Sequence, residues 1–170
     1  MALWTVCIQA QIEDGDFVIG KLEEQGYPVI YRFSASTPTP ELMKEYPWLT
    51  VLSWEYSKSD RNGMPPVRVN ERMLILEESL SDSFLESAGA HWVYNRTGNG
   101  KKEFVFYIRD RSEFTIALNS TLATHQRYPI DMTFYPDNTW QDYLELVDIF
   151  KEAAEKRTVS PNQQLESTPD

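Results

Sequence analysis

The sequence predicts an α+β domain: a ferredoxin-like split βαβ antiparallel sheet with an N-terminal β-meander and a C-terminal helix. Two observations predict this class. From Trp48 onward the hydrophobic patterns follow the order β-α-β-β-α-β and then a last helix, which is the order of the ferredoxin-like unit. In addition, the segment from Tyr128 to Tyr143 changes from a period of two to a helical period, so a strand turns directly into an amphipathic helix.

The chain length sets the domain organisation. A chain of 170 residues suits a single domain. We expect that domain at residues 1–157, with the meander and a connector at 1–40 and the ferredoxin-like unit at 46–157. Residues 158–170 lack periodicity, so we expect a disordered tail there.

The N-terminal part contains three strand patterns. Apolar residues alternate from Trp4 to Ile12, and shorter runs follow at residues 17–19 and 27–33, after a turn signal at Asp14-Gly15-Asp16. A segment rich in Ser, Thr and Pro at residues 34–40 then predicts a connector.

The next block predicts a strand and a helix. Apolar or small residues alternate from Trp48 to Tyr56, and residues 57–66 predict a loop. Asn70 is suited to cap a helix over residues 71–87, and Gly89 is suited to end it. One side of this helix carries the apolar residues Met73, Leu76, Leu80 and Phe84.

A hairpin and a second helix follow. Strand-like runs at residues 91–97 and 101–109 are joined by Gly98-Asn99-Gly100, whose residues tolerate positive φ. Asp110 and Glu113 have capping-box spacing before a helical face at residues 114–122.

The last strand and helix are predicted from Tyr128 onward. Ile130, Met132 and Phe134 share one strand face, and Thr139 with Asp142 predicts the helix start. We expect the large side chains Trp140 and Tyr143 to hold this helix against the sheet.

Composition limits the class of partner. The formal net charge of −10 opposes binding to a phosphate backbone and favours a basic protein partner. No stretch approaches the length of a membrane span, so we expect no membrane interaction. With one cysteine, Cys7, and no signal-peptide pattern, we expect a cytoplasmic protein. The sequence leaves the oligomeric state open.

The sequence contains no recognised catalytic constellation. Cys7, His91 and His125 are the only nitrogen or sulfur metal ligands, and no HExxH, CxxC, GxSxG or phosphate-loop motif is present. We therefore expect no catalytic, cofactor-binding or metal-binding residues. A small-molecule-binding domain or an unrecognised hydrolase stays open as an alternative, provided that His91, Glu77 and Tyr107 converge on a pocket.

Aromatic residues in the predicted strands suggest an interaction surface. Most are expected in the core, but some are expected at a protein interface. The candidates for protein interaction are Trp54, Tyr56, Tyr94, Tyr107 and Tyr135. A second candidate contact is internal: Glu77, within an apolar helical run, is expected to lie at the edge of the core and bond to the hairpin.

The chain resembles a bacterial family named domain of unknown function 695. The resemblance is carried by short motifs in order along the chain: Gly26-Tyr27-Pro28, Tyr46-Pro47-Trp48-Leu49, Asn62-Gly63-Met64-Pro65, Leu76-Glu77, Thr97-Gly98, Glu103-Phe104-Val105-Phe106-Tyr107, Tyr128-Pro129, Asp137, Trp140 and Tyr143. The family has no established catalytic residues. Some relatives are fused to a domain of the ribonuclease E regulator B type, which inhibits a nuclease by binding it. We expect no such domain here, because little sequence follows the last predicted helix.

The resemblance implies regulation through protein binding. Together with the charge, it predicts a non-enzymatic acidic module that acts as a regulator, inhibitor or immunity-type protein on a basic partner.

Overall fold

The computed structural model describes residues 12–13, 17–58 and 62–158. The strands are β1 (Ile12–Glu13), β2 (Phe17–Glu24), β3 (Tyr27–Ser34), β4 (Trp48–Glu55), β5 (Ala90–Gly98), β6 (Lys101–Ile108) and β7 (Ile130–Pro136). The helices are α1 (Pro40–Glu45), α2 (Val67–Ser79), α3 (Asp82–Ala88), α4 (Arg111–Leu122) and α5 (Gln141–Thr158). In the described part of the chain, no helix is long and apolar enough to cross a membrane.

All strands form one open antiparallel sheet, which confirms the α+β class. Its order is β1-β2-β3-β5-β6-β4-β7. The hairpin β2–β3 extends the sheet, because β3 pairs with β5 from Val29↔Gly98 to Phe33↔Tyr94. Among the described strands, β7 pairs only with β4 and forms one edge of the sheet.

Helices cover both faces of the sheet. The core on the α5 side, where α1 also packs, contains among others Leu22, Tyr31, Phe33, Val105, Tyr107, Trp140, Tyr143 and Phe150. The core on the side of α2, α3 and α4 contains among others Leu52, Trp54, Met73, Leu76, Phe84, Phe106 and Phe114. This second core includes no described residue of β2 or β3, so their face on that side lacks a helical cover.

The turn before α5 is fixed by buried aromatic contacts. The indole of Trp140 stacks on the ring of Tyr107, with ring centroids 4.1 Å apart, and donates a hydrogen bond of 2.9 Å to the carbonyl oxygen of Tyr46. The hydroxyl of Tyr143 lies 2.6 Å from the carbonyl oxygen of Ser34. The expected role of both residues in holding the last helix is confirmed.

Two helix starts differ from the sequence prediction. The segment predicted as one helix over residues 71–87 forms two helices, α2 and α3, and Pro66 rather than Asn70 precedes the first. Serine and aspartate side chains compete with the helical backbone, and Ser81 adopts an extended conformation that starts α3. The prediction that Thr139 starts α5 is also wrong, because the Asp137 carboxylate accepts from the N–H groups of Gln141 and Asp142.

The connector at residues 34–40 leads into a helix that the sequence analysis did not predict. Thr39 caps α1 by accepting a hydrogen bond of 3.2 Å from the N–H of Leu42, and Pro40 occupies the first turn. The helix has only six residues, too few for a periodic pattern.

Other local predictions are confirmed. Asp110 caps α4, Gly89 ends α3 with a φ of 55°, and the β5–β6 hairpin turns through Asn99 and Gly100 with positive φ. The predicted strand from Trp4 to Ile12 lies outside the described residues except for Ile12, which belongs to β1, and so does the turn Asp14-Gly15-Asp16. The same holds for Cys7 and the predicted tail from residue 159 onward.

Candidate functional site

A groove opens where the sheet lacks a helical cover. It lies between β2, β3 and β5 on one side and helices α2 and α3 on the other, and its volume is about 680 Å³. The position follows from the topology, because the helices that connect β4 to β5 and β6 to β7 lie over the other half of the sheet. The groove is open to solvent along its length.

Apolar and acidic side chains line this groove together. Its apolar residues include Phe17, Leu74, Leu85 and Trp92. Its charged residues are Arg32, Glu77, Glu78 and Asp82, and we call it the acidic groove. Leu74 remains 47% exposed in the groove, which is unusual for leucine and leaves apolar surface available for contact.

Glu77 is held in the groove wall by the hairpin. Its Oε1 accepts a hydrogen bond of 3.1 Å from Nδ2 of Asn95, and its Oε2 pairs with Nζ of Lys102. Lys102 is only 5% exposed, so this pair neutralises a buried cation. The prediction that Glu77 bonds to the hairpin is confirmed, and its two contacts join α2 to the hairpin at this wall of the groove.

Glu78 and Asp82 carry the net negative charge of the groove. Both residues are exposed, and in the part of the chain described here neither has an ion pair within 4 Å. Glu78 lies in the last turn of α2 and Asp82 in the first turn of α3, so the break between the helices brings both carboxylates to the same side. A cationic side chain in the groove would meet two solvated carboxylates.

The five aromatic residues predicted for protein interaction lie on both faces of the sheet. Trp54 and Tyr56 belong to the side covered by α2 to α4, whereas Tyr94 and Tyr107 belong to the α5 side. Trp54 is 2% exposed and Tyr107 is fully buried, whereas Tyr135 is 50% exposed. The structure therefore brings these residues into two separate groups, and Tyr135 alone presents a large exposed ring.

The candidate hydrolytic groups His91, Glu77 and Tyr107 do not converge. Glu77 lies on α2 and its side chain accepts from Asn95 on the face of the sheet that α2 covers. The Tyr107 hydroxyl instead donates to Asp137 beside α5, on the opposite face. His91, like Glu77, lines the groove, but its ring packs edge-on against Tyr46 on that opposite face. Burial lowers the pKa of His91, and among the described residues no group of three or more metal-ligating side chains is close enough to hold a metal ion.

Two carboxylates at the start of α5 have opposite pKa shifts. Burial acts to raise the pKa of Asp137, but hydrogen bonds from Tyr107 and from the N–H groups of Gln141 and Asp142 outweigh it and lower that pKa. Burial raises the pKa of Asp142, against the hydrogen bond from Tyr94 and with the help of the Asp137 charge. Both carboxylates thus have structural partners, and this pair positions α5.

The sequence analysis did not identify the groove residues Arg32, Glu78, Asp82 and Trp92 as a site. The signal that was available is the sequence Ser79-Leu80-Ser81-Asp82, whose serines and aspartate predict a helix break. The lack of a helix over β2 and β3 depends on tertiary packing, which no local pattern reports.

Comparison with known proteins identifies a family without assigning an activity. No curated protein matches this chain. The sequence profile of a family of unknown function, DUF695, matches residues 14–147. This match spans the sheet from β2 to β7, the groove and the start of α5 up to Val147. The chain therefore belongs to the family of unknown function DUF695.

Proposed function

We propose that the protein is a non-enzymatic module that binds a basic protein partner in the acidic groove and regulates or inhibits that partner. The observation that supports this most strongly is the combination of Glu78 and Asp82 with the exposed apolar surface of Leu74 in one open groove. Protein interfaces combine an apolar centre with charged margins, and an open groove suits a segment of polypeptide.

The charge of the whole chain supports the same proposal. The net charge of −10 attracts a basic partner over a distance and raises its association rate. Salt screens such steering, so binding is expected to weaken as ionic strength increases.

Charge reversal in the groove tests the proposal. Glu78→Lys places a cation in the last turn of α2, where the helix dipole favours it, so the fold is preserved. Asp148→Lys is the matched control, because Asp148 is also exposed on a helix but lies on α5, at the opposite face of the sheet. The wild-type protein and both variants are used to capture proteins from a cell lysate at low and moderate salt, and captured proteins are identified by mass spectrometry.

The proposal predicts a basic protein that the wild type and Asp148→Lys retain at low salt and that Glu78→Lys loses. Moderate salt should reduce its capture. Equal capture by both variants, or no captured protein at either salt, would overturn binding through the groove.

The size of the groove supports a second candidate, binding of a cationic small molecule. Small-molecule sites have volumes of about 300–1,000 Å³, and this groove has about 680 Å³. Spermidine is a suitable probe in a titration monitored by NMR. Saturable shifts confined to the residues of the groove would favour this candidate over a protein partner.

We also propose that the segment from β4 to β7 is a ferredoxin-like split βαβ unit. The strand order β5-β6-β4-β7 supports this, as do the helical connections from β4 to β5 and from β6 to β7. Nuclear Overhauser effects between paired strands of the isotope-labelled protein would test that order. A bacterial, cytoplasmic setting and a link to nuclease regulation, suggested by the sequence resemblance, are part of the same proposal.

A further inference from the structure

We infer that the segment bound in the acidic groove presents a carboxylate to Arg32 in addition to basic side chains for Glu78 and Asp82. This inference rests on the function proposed above and specifies the chemistry of the partner. It follows from the one groove cation, whose environment differs from that of the other partly buried cations in the described residues.

The other cations of the hairpin region have carboxylate partners. Arg96 forms ion pairs with Glu24 and Glu103, and Lys102 forms one with Glu77. These pairs compensate for the free energy of moving a charge out of water. Arg72, which is half-buried and has no carboxylate within 4 Å among the described residues, instead donates a hydrogen bond of 2.9 Å to the carbonyl oxygen of Arg127.

Among the described residues, Arg32 has neither a carboxylate nor a carbonyl partner for its guanidinium. It is half-buried on β3, and its guanidinium carbon lies 4.0 Å from the centroid of the Phe17 ring. Within residues 12–13, 17–58 and 62–158, no hydrogen bond or ion pair joins its guanidinium to an acceptor. The Phe17 ring covers one face of the guanidinium, and its N–H donors at the edge are available for a planar anion such as a carboxylate.

The groove is therefore polarised across its width. Arg32 lies on the sheet side, whereas Glu78 and Asp82 lie on the helix side. Leu74 and Trp92 add apolar surface to the same groove. An occupant that matches this pattern carries an acidic group on one side and basic groups on the other, with apolar side chains between them.

A short peptide segment has this chemistry, and the pattern also fixes its orientation in the groove. A polyamine lacks the carboxylate and would leave Arg32 unpaired. Arg32 thus selects among basic partners, because a basic segment without a correctly placed acidic residue leaves the guanidinium desolvated and unpaired.

The test uses two synthetic peptides with blocked ends, Lys-Lys-Leu-Trp-Leu-Asp and the same peptide with Asn in place of Asp. Each is titrated into the isotope-labelled full-length protein and followed by NMR. The wild type is compared with Arg32→Gln and with the control Lys21→Gln, since Lys21 lies on the neighbouring strand and outside the groove lining.

We expect the wild type and Lys21→Gln to bind the Asp peptide about five-fold more tightly than the Asn peptide. In Arg32→Gln this preference should disappear, while weak binding of both peptides remains. Equal affinities of the two peptides for the wild type would overturn the role of Arg32 and leave the groove as a site for basic segments. The absence of binding by either peptide would count against both proposals.

Discussion

The hydroxyl of Tyr107 donates a hydrogen bond of 2.6 Å to Oδ2 of Asp137, and this contact joins the centre of the sheet to the start of the last helix. Asp137 also accepts from two backbone N–H groups at that helix start. One carboxylate therefore satisfies donors from β6 and α5 together, which explains how a sharp turn with a positive φ of 54° at Trp140 is maintained.

Tyr107→Phe should reduce the free energy of unfolding by about 1–2 kcal/mol, because it removes a buried donor to a charged acceptor. Urea denaturation at neutral pH measures this loss. Tyr135→Phe is the control, since the ring of Tyr135 is 50% exposed and its variant should unfold at nearly the wild-type urea concentration. A Tyr107→Phe protein as stable as the wild type would show that this hydrogen bond does not hold the turn.

Trp140→Ala should cost about 3–5 kcal/mol, because the indole is buried and stacks on Tyr107. The expected result is a large decrease in the midpoint of thermal unfolding. Tyr135→Ala again serves for comparison, since truncation of an exposed ring changes stability by roughly 0.5 kcal/mol or less. Nearly unchanged thermal stability of Trp140→Ala would contradict the role given to this residue.

The two carboxylates at the start of α5 should produce opposite dependences of stability on pH. The folded pKa of Asp137 is below its ordinary value of 3.8, so its contribution is present above pH 3.8 and is lost as pH falls through the folded pKa. The folded pKa of Asp142 is above 3.8, so its contribution is present below pH 3.8 and is lost as pH rises through the folded pKa.

Urea denaturation of Asp137→Asn and Asp142→Asn over a series of acidic pH values tests this difference. Relative to the wild type, Asp137→Asn should lose less stability as pH falls below 3.8. Asp142→Asn should lose less stability as pH rises above 3.8. The same change of slope in both variants would show that one of the two directions is wrong.

Gly20→Ala should destabilise the protein because α5 packs directly on this strand position. A Cβ atom at Gly20 would overlap Cε1 of Phe150, whose ring is buried and stacks on Phe33. Overpacking of this kind costs about 1–3 kcal/mol. Chemical denaturation measures the free energy of unfolding of each variant. In the double variant Gly20→Ala/Phe150→Leu, the total loss of this free energy should be smaller than the sum of the two single losses. Losses that add would argue against a direct clash.

The sequence predicted the strands well because their patterns are local. Alternation identified β4 and the shared face of Ile130, Met132 and Phe134, all three of which pack on one core. The sequence also predicted the hairpin turn at Asn99 and Gly100 and the helix cap Asp110. The backbone conformation at these positions depends mainly on the local residue type.

The groove and the break between α2 and α3 were not predicted from sequence. A continuous apolar stripe from Met73 to Phe84 suits one long helix and conflicts with the local helix-break signal at Ser79 to Asp82. In the structure Ser81 is extended, and α3 packs on α4 and β5. Glu77 and Tyr107 likewise lie apart because their side chains lie on opposite faces of the sheet. Their separation in sequence does not predict this.

Thr50→Val should stabilise the protein by about 1 kcal/mol. Thr50 is fully buried on β4, and among the described residues its hydroxyl oxygen has no hydrogen-bond partner. Valine keeps the branched shape and removes a desolvated polar group. Thr133→Val on the neighbouring strand β7 is the matched control, because Thr133 is exposed and gains little from the same replacement. Urea denaturation compares the two variants, and a destabilised Thr50→Val protein would mean that the hydroxyl has a stabilising partner.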